Sequence, residues 1–257
     1  MNIQQIFYKN TLRNFAYLIT FDDGAIYCID PFRAREIKDL IPEGKTLMGI
    51  INTHDHCDHF SGNEELKSTY ATCSVLCHPE AIVPLKSREL LNNEVIHSFK
   101  EWSLEAIYTP GHTMSHLCLL LKKNETSYAL FTGDCFFNAG VGNCHNGGDP
   151  VILFESIDKI FSKFPDEMLI YPGHEYLKRN LEFSYFVDEE QSEVKEFLNK
   201  IKDINLNEIF FVNTMKIERR INTFLKLDSP RIRQKLGLAL SSNEAVFIKL
   251  REMRNKW

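Results

Sequence analysis

The sequence predicts a mixed α/β fold followed by a helical C-terminal region, and three observations carry that expectation. Short apolar runs closed by Gly, Pro or Asp recur through the first two thirds of the chain, in the manner of strands ended by turns. Helical patterns are interspersed among these runs and not gathered at one end. After Tyr171 the strand-like runs give way to segments with helical periodicity.

In chain order, strands are expected at Gln5–Tyr8, Asn14–Phe21 and Ala25–Ile29, the last two joined by the turn Asp22-Asp23-Gly24. A helix over Ala34–Leu40 precedes the apolar run Leu47–Asn52, which reads as a buried strand, and a second helix covers Asn63–Tyr70. Further strands are expected at Cys73–Cys77, Leu104–Tyr108, Leu117–Leu121 and Tyr128–Phe131, with Asn124 near a hairpin turn. The C-terminal helices are placed at Tyr176–Asp188, Gln191–Ile204, Pro230–Leu236 and Asn243–Lys256. Gly237 is a natural stop for the third, and Ser242 or Asn243 a cap for the last. The change of character divides the chain into residues 1–174 and a helical region, 175–257.

With 257 residues and 44% hydrophobic content the chain can bury a full core. The N-terminus has no basic start followed by a long apolar run, and Phe15–Ile19 is too short to span a bilayer, so a cytoplasmic protein with no membrane association is expected and a secreted one disfavoured. The seven cysteines are odd in number and sit mostly in apolar runs, which fits a reducing compartment better than a disulfide framework. Cys28 and Cys118 read as core residues; Cys135 and Cys144 are near candidate ligands and are expected to be oxidation-sensitive. The net charge of −5 is uneven: from Thr214 onward 11 Lys and Arg face 4 Asp and Glu (+7), against 19 and 31 before it (−12). Without aromatic–basic interleaving for a nucleic acid strand, the basic segment is read as a receiver for an acidic small molecule.

The chemistry is concentrated in Thr53-His54-Asp55-His56-Cys57-Asp58-His59, three imidazoles and two carboxylates just beyond the Leu47 strand. Alternation in an extended segment lets His54, His56 and Asp58 point one way while His59 leaves across a turn, an arrangement for two metals. The same alternation turns Cys57 away and gives it a packing role. Three later segments repeat one grammar, a strand-like run and a turn followed by a ligand: Ile107–Gly111 then His112, Tyr128–Gly133 then Asp134, Met168–Gly173 then His174. Five His and two Asp suffice for two adjacent sites. Neutral imidazoles and carboxylates suit zinc first, and also iron or manganese. His116 is a candidate for supporting a ligand from behind.

The pattern HxHxDH followed by His, Asp and His resembles the metallo-β-lactamase superfamily. Within it, Thr109-Pro-Gly-His-Thr113, Thr132-Gly-Asp134, Gly173-His-Glu-Tyr176, Asn180-Leu-Glu-Phe183, Asn222-Thr-Phe-Leu-Lys226 and the basic end Leu250–Trp257 are similar to glyoxalase II, the hydroxyacylglutathione hydrolases. The resemblance implies an αββα sandwich with catalytic residues in 1–174 and a substrate-binding helical region in 175–257. It implies that His54, His56 and His112 hold one divalent ion, that Asp58, His59 and His174 hold the other, and that Asp134 bridges them. The implied reaction is hydrolysis of a glutathione thioester such as S-lactoylglutathione by a metal-bridging hydroxide oriented by Asp58 and Asp134, in a monomer or weak oligomer. Tyr176, Arg251 and Arg254 would recognise the glutathione part, the two arginines lying on neighbouring turns of one helix face.

One departure concerns the loop Ala139-Gly-Val-Gly-Asn143-Cys-His145. The family usually places a Lys or Arg at the position of Asn143 and a Tyr or Phe at that of His145, so this chain lacks a cation in the expected thiol-peptide pocket. The competing activities on such a scaffold are a persulfide dioxygenase using mononuclear iron on ligands chosen from His56, His112 and Asp134, another thioesterase or lactonase, and a metal-dependent nuclease. A metal-binding structural or regulatory protein is the reading from a different class. The long basic C-terminal segment and Gly173-His-Glu-Tyr176 argue against the dioxygenase.

Overall fold

The computed structural model describes residues 1–159 and 161–257. Strands β1 (Asn2–Phe7), β2 (Phe15–Thr20) and β3 (Ile26–Ile29) form an antiparallel meander. β4 (Gly49–Ile51), β5 (Ser74–Cys77) and the short β6 (Arg88–Glu89) add to it in parallel. Helices α1 (Ala34–Lys38), α2 (Cys57–Phe60) and α3 (Asn63–Thr69) occupy the connections on either side of β4. The second sheet begins with β7 (Val95–Phe99), β8 (Trp102–Tyr108), β9 (Leu117–Lys123) and β10 (Thr126–Gly133), all antiparallel neighbours. The two-stranded ribbon β11 (Phe136–Phe137) and β12 (Gly140–Val141) and helix α4 (Pro150–Lys159) follow, before β13 (Leu169–Pro172) returns parallel to β10.

Period-two alternation explains the layering. Tyr17, Ile19, Tyr27, Ile29 and Ile51 of the first sheet meet Leu104, Ala106, Leu117, Leu119, Leu121, Phe131 and Tyr171 of the second in one buried cluster between the sheets. Their sequence neighbours face outward: Ala16, Leu18, Cys28 and Ile50 pack with Ala34, Ile37 and Leu66 of α1 and α3, and Cys118, Leu120, Leu130 and Ile170 pack with Leu153 and Ile157 of α4. The central strands are apolar on both faces because each face is covered. The result is the αββα sandwich.

The C-terminal region contributes α5 (Leu177–Val187), α6 (Ser192–Ile201), a short edge strand β14 (Asn213–Thr214) paired with β13, then α7 (Met215–Ile221), α8 (Pro230–Leu236) and α9 (Asn243–Lys256). Gly237 ends α8 in the left-handed conformation at φ 70°, and the Ser242 hydroxyl caps α9 by accepting from Ala245 N. Val246, Phe247 and Leu250 of α9 join the cluster over α4, so this region is packed into the sandwich and not tethered beside it. Sequence periodicity gave no signal for β7, whose half-exposed edge breaks alternation, or for α4 and α7. Among the described residues no helix is long and apolar enough to cross a membrane.

Helix α7 also carries a buried acid. Glu218 accepts from Asn213 Nδ2 at 2.7 Å, Ala139 N at 2.8 Å and Asn222 Nδ2 at 3.3 Å. Burial outweighs these three donors and pushes its pKa up to about 7. Because the folded pKa is raised, the native state binds the extra proton between about pH 4.5 and 7, and stability is lost as pH rises through that window. Comparing Glu218→Gln with the parent by denaturant unfolding should reveal this slope: the parent loses on the order of 3 kcal/mol relative to the variant between pH 4.5 and 8. Parallel pH–stability curves for the two proteins would rule the contribution out.

Candidate metal centre

Strands β8, β10 and β13 run parallel to one another in the second sheet, so their C-terminal ends open at one edge. His112, Asp134 and His174 follow those three ends, and β4 of the first sheet delivers His54 and His56 to meet them. The ring centroids of His54 and His112, from different sheets, lie 4.8 Å apart. One sequence expectation changes here. The ligand loop is extended only as far as His56, the residue before α2, so Asp58 sits with His59 on a helical turn and not with His54 and His56 on the extended segment. The turn at α2 puts Cys57 on the outside, exposed, instead of in the packing role alternation assigned to it.

The donors gather in two sets. His54, His56 and His112 form one, with His56 Nδ1 at 3.1 Å from His54 Nε2 and 3.0 Å from His112 Nε2. Asp58, His59 and His174 form the other, with His59 Nε2 at 3.2 Å from His174 Nε2 and 3.5 Å from Asp58 Oδ2. Asp134 lies between the sets: Oδ2 is 3.6 Å from His112 Nε2 and 3.2 Å from His174 Nε2, and Oδ1 is 3.4 Å from His59 Nε2.

The outer hydrogen bonds decide which ring nitrogens are free. His112 and His174 donate from Nδ1 to the carbonyls of Asn143 and Leu12, both at 2.7 Å, and His56 donates from Nε2 to the Asn146 carbonyl at 3.1 Å. His59 donates from Nδ1 to Asp30 Oδ2 at 3.0 Å. His54 Nδ1 donates to Thr53 Oγ1 at 2.9 Å, whose own proton goes to Asp30 Oδ2 at 2.6 Å. Every imidazole therefore turns a proton-free nitrogen inward. Five lone pairs and two carboxylates converging at these distances repel one another unless cations lie among them. Asp134 Oδ1 is in addition buried with no hydrogen-bond partner among the described residues. The donor set fits two divalent metal ions.

Electrostatics agree with that fit. Burial, helped by the neighbouring imidazoles, holds His54 well below the usual histidine range, and burial lowers His112 to about 4 despite Asp134, so both rings are held neutral, the form that binds a cation. At His59 burial acts downward but Asp134, Asp30 and Asp58 outweigh it and raise the pKa to about 10: with no cation among these carboxylates a proton is drawn to the inward nitrogen, and an ion there would displace it. Burial would raise Asp134, yet His174, His59 and His112 hold it far below the usual carboxylate range.

Several supporting residues left no motif in the sequence. Asp30, at φ 51° just past β3, accepts from Thr53 N at 2.8 Å as well as from Thr53 Oγ1 and His59, and so orients one ligand in each set. Asn14 donates to Asp58 Oδ2 at 2.8 Å and is bridged to His174. His116 accepts from Asp134 N at 3.2 Å and donates to Thr109 Oγ1 at 2.9 Å; with both nitrogens committed it supports the site and is no ligand. Burial raises the thiol pKa of Cys135, and that of Cys144 to about 11, which keeps both protonated and counters the expected sensitivity to oxidation.

Of the expected substrate residues, Tyr176 stacks on the His174 ring, with centroids 5.0 Å apart and an interplanar angle of 3°. Arg254 is half-buried, donates to Asn180 Oδ1 at 3.2 Å and lies over Phe183 and Trp257. Arg251 is buried instead, and its Nη1 donates to the carbonyls of Val141 at 2.7 Å and Gly142 at 3.1 Å. Asn143 and His145 are exposed, the Asn143 side chain accepting from His145 N at 3.1 Å.

Two family models span the chain from end to end beyond its first ten residues. "Metallo-beta-lactamase superfamily" matches residues 11–174 and "Hydroxyacylglutathione hydrolase C-terminus" matches 175–257. A hydroxyacylglutathione hydrolase of Nitrosococcus oceani is 37% identical over the whole of both chains. This chain belongs to the hydroxyacylglutathione hydrolase family. Another such hydrolase, from a Polaromonas species, is 35% identical, again over the whole of both chains. Among solved structures, ETHE1 from Myxococcus xanthus shares the fold with a TM-score of 0.67 at 21% identity, covering 99% of this chain and 98% of its own. Membership of the hydroxyacylglutathione hydrolase family thus extends through the helical region as well as the sandwich.

Proposed function

We propose that this protein hydrolyses S-(2-hydroxyacyl)glutathione thioesters, S-lactoylglutathione among them, to the hydroxy acid and glutathione. The observation that carries the reading is the convergence of five proton-free imidazole nitrogens and two carboxylates beside the Tyr176 ring, in a chain whose full-length relatives are named for this activity. His54, His56 and His112 are assigned to one ion, Asp58, His59 and His174 to the other, and Asp134 to both. Zinc is the first choice for this donor set. Residues 1–174 form the catalytic part and 175–257 the part that receives the thiol-peptide.

When bound, two divalent ions supply Lewis acidity toward the thioester carbonyl and a water of lowered pKa. The chain's own contribution is orientation. Asp58, fixed by Asn14, and Asp134, fixed through its main chain by His116, hold the attacking oxygen's lone pair toward the carbonyl carbon. Tyr176, held flat against His174, gives the substrate a surface beside the reacting bond. Thiolate leaves readily, so no separate strong acid is required. Arg251 is assigned to the loop: by binding the Val141 and Gly142 carbonyls it steadies the segment whose Asn143 carbonyl orients His112.

A panel of S-acylglutathiones, assayed for thiol release beside metal analysis and oxygen uptake with glutathione persulfide, tests the reading. Thiol release with about two ions per chain and no oxygen uptake is expected. Oxygen uptake with one iron per chain would transfer the protein to the dioxygenase reading.

A further inference from the structure

Beside Tyr176 the surface opens into a cavity of about 580 Å³ whose lining includes Thr11, Tyr176, Lys178, Arg179, Leu206 and Trp257. Tyr176 thus stands between this cavity and the His174 ring on which it stacks, within reach of a thiol-peptide whose carbonyl lies at the metal centre. Most of the charge here is already matched. Arg13 binds Glu175 at 2.6 Å, and Lys178 lies 4.0 Å from Glu182. Arg179 is exposed and has no carboxylate partner among the described residues; nor has Arg254, which is close enough to Arg179 for the two charges to disfavour each other and meets the amide of Asn180 and the rings of Phe183 and Trp257.

Two guanidinium groups drawn together without an anion are electrostatically unfavourable. Arg179 also sits with Lys178 in the first turn of the eleven-residue α5, a turn with no acidic residue, and there the helix dipole disfavours cations. A local rule broken at the rim of a cavity that shares Tyr176 with the metal centre is the pattern of a binding residue. Asn143, where the family resemblance implies a cation, is meanwhile neutral, exposed and occupied with its own loop.

We propose that Arg179 is a specificity-determining residue of this enzyme, binding a free carboxylate of the thiol-peptide in the cavity beyond Tyr176 and replacing the cation absent at Asn143. The assignment rests on the thioesterase reading. It makes the recognition of the peptide's charge a property of α5 as well as of α9, with Arg179 and Arg254 flanking the phenol from two helices.

The test is steady-state kinetics of the metal-loaded enzyme on S-lactoylglutathione and on its diethyl ester, in which both carboxylates are blocked. Arg179→Ala should raise KM for the free acid about fivefold to tenfold, change kcat less than about twofold, and leave KM for the diester unchanged. Arg179→Lys should recover part of the loss, and Arg179→Glu should exceed the alanine effect. An unchanged KM in Arg179→Ala, or an equal rise for both substrates, overturns the assignment, the latter by revealing a structural role. Absence of thiol release by the metal-loaded parent on either substrate would refute the thioesterase reading itself, and the assignment with it, whereas a parent that turns over both substrates with equal KM refutes the assignment alone.

Discussion

Asp134→Asn is expected to lower kcat by about three orders of magnitude or more, with a smaller change in KM. The substitution removes a carboxylate that lies between the two sets of donors, and the amide nitrogen that replaces one oxygen has no lone pair to offer a cation. Oδ1 faces His59 at 3.4 Å and Oδ2 faces His174 at 3.2 Å, so either orientation of the amide turns an N–H toward a proton-free imidazole nitrogen. Two cations left without the shared charge repel each other, and bound metal should fall from two per chain toward one. The fold should survive, because the main-chain N–H of Asp134 still reaches His116 and Cys135 N still reaches the Thr132 carbonyl at 3.1 Å. Elemental analysis of the purified variant beside thiol-release kinetics decides the matter; two retained metals with near-parental turnover would remove Asp134 from the bridge.

The second large effect is expected at Gly173, where no ligand atom is altered. A Cβ there would stand 2.4 Å from Asp134 Oδ1 and 3.0 Å from His59 Cε1. Gly173 does not adopt a positive φ, so alanine meets no backbone penalty and the clash alone is probed. Its main chain is fixed on both sides, N donating to the Gly133 carbonyl and O accepting from Phe15 N, each at 2.8 Å, so the strand end cannot retreat. Asp134 must turn away instead. Gly173→Ala should lower kcat about a hundredfold and weaken metal retention, with a stability loss of about 1–3 kcal/mol from overpacking. Dialysis against a weak chelator followed by metal analysis reads the retention; parental retention and rate would mean that the corner relaxes freely.

The seven donors that gather at the centre were legible in the sequence because they follow four strand ends, and strand ends announce themselves through apolar runs stopped by Gly, Pro or a polar turn. The layering was legible for a related reason, since Tyr17, Leu18 and Ile19 alternate between two covered faces. What orients the ligands was not. Asp30 and Asn14 act on residues 29 and 44 positions away, and a single Asp before Pro31 or a single Asn before an apolar run carries no local mark of that duty. Helix α2 escaped because four residues are too few to show a helical period. Arg251 and Arg254 share a helix face in the sequence, yet one is turned onto main-chain carbonyls and the other onto an amide and two aromatic rings, a distinction set by α5 and the Val141 loop packing against α9.

The clamp formed by residues 12–14 has a consequence for how the centre assembles. His54, His56 and His112 are held by outer partners at Thr53, Asn146 and Asn143, all from the middle of the chain. Asp58 and His174 depend instead on Asn14 and the Leu12 carbonyl, the latter 162 residues from the imidazole it orients. The two halves of the centre therefore report on different events. The first needs from the N-terminal meander only Asp30, which holds Thr53 behind His54, while the second is complete only when residues 12–14 have also docked onto the end of β13. An ion held by the second set would thereby be coupled to the docking of residues 12–14, and loosening that segment should weaken its retention more than that of an ion in the first set.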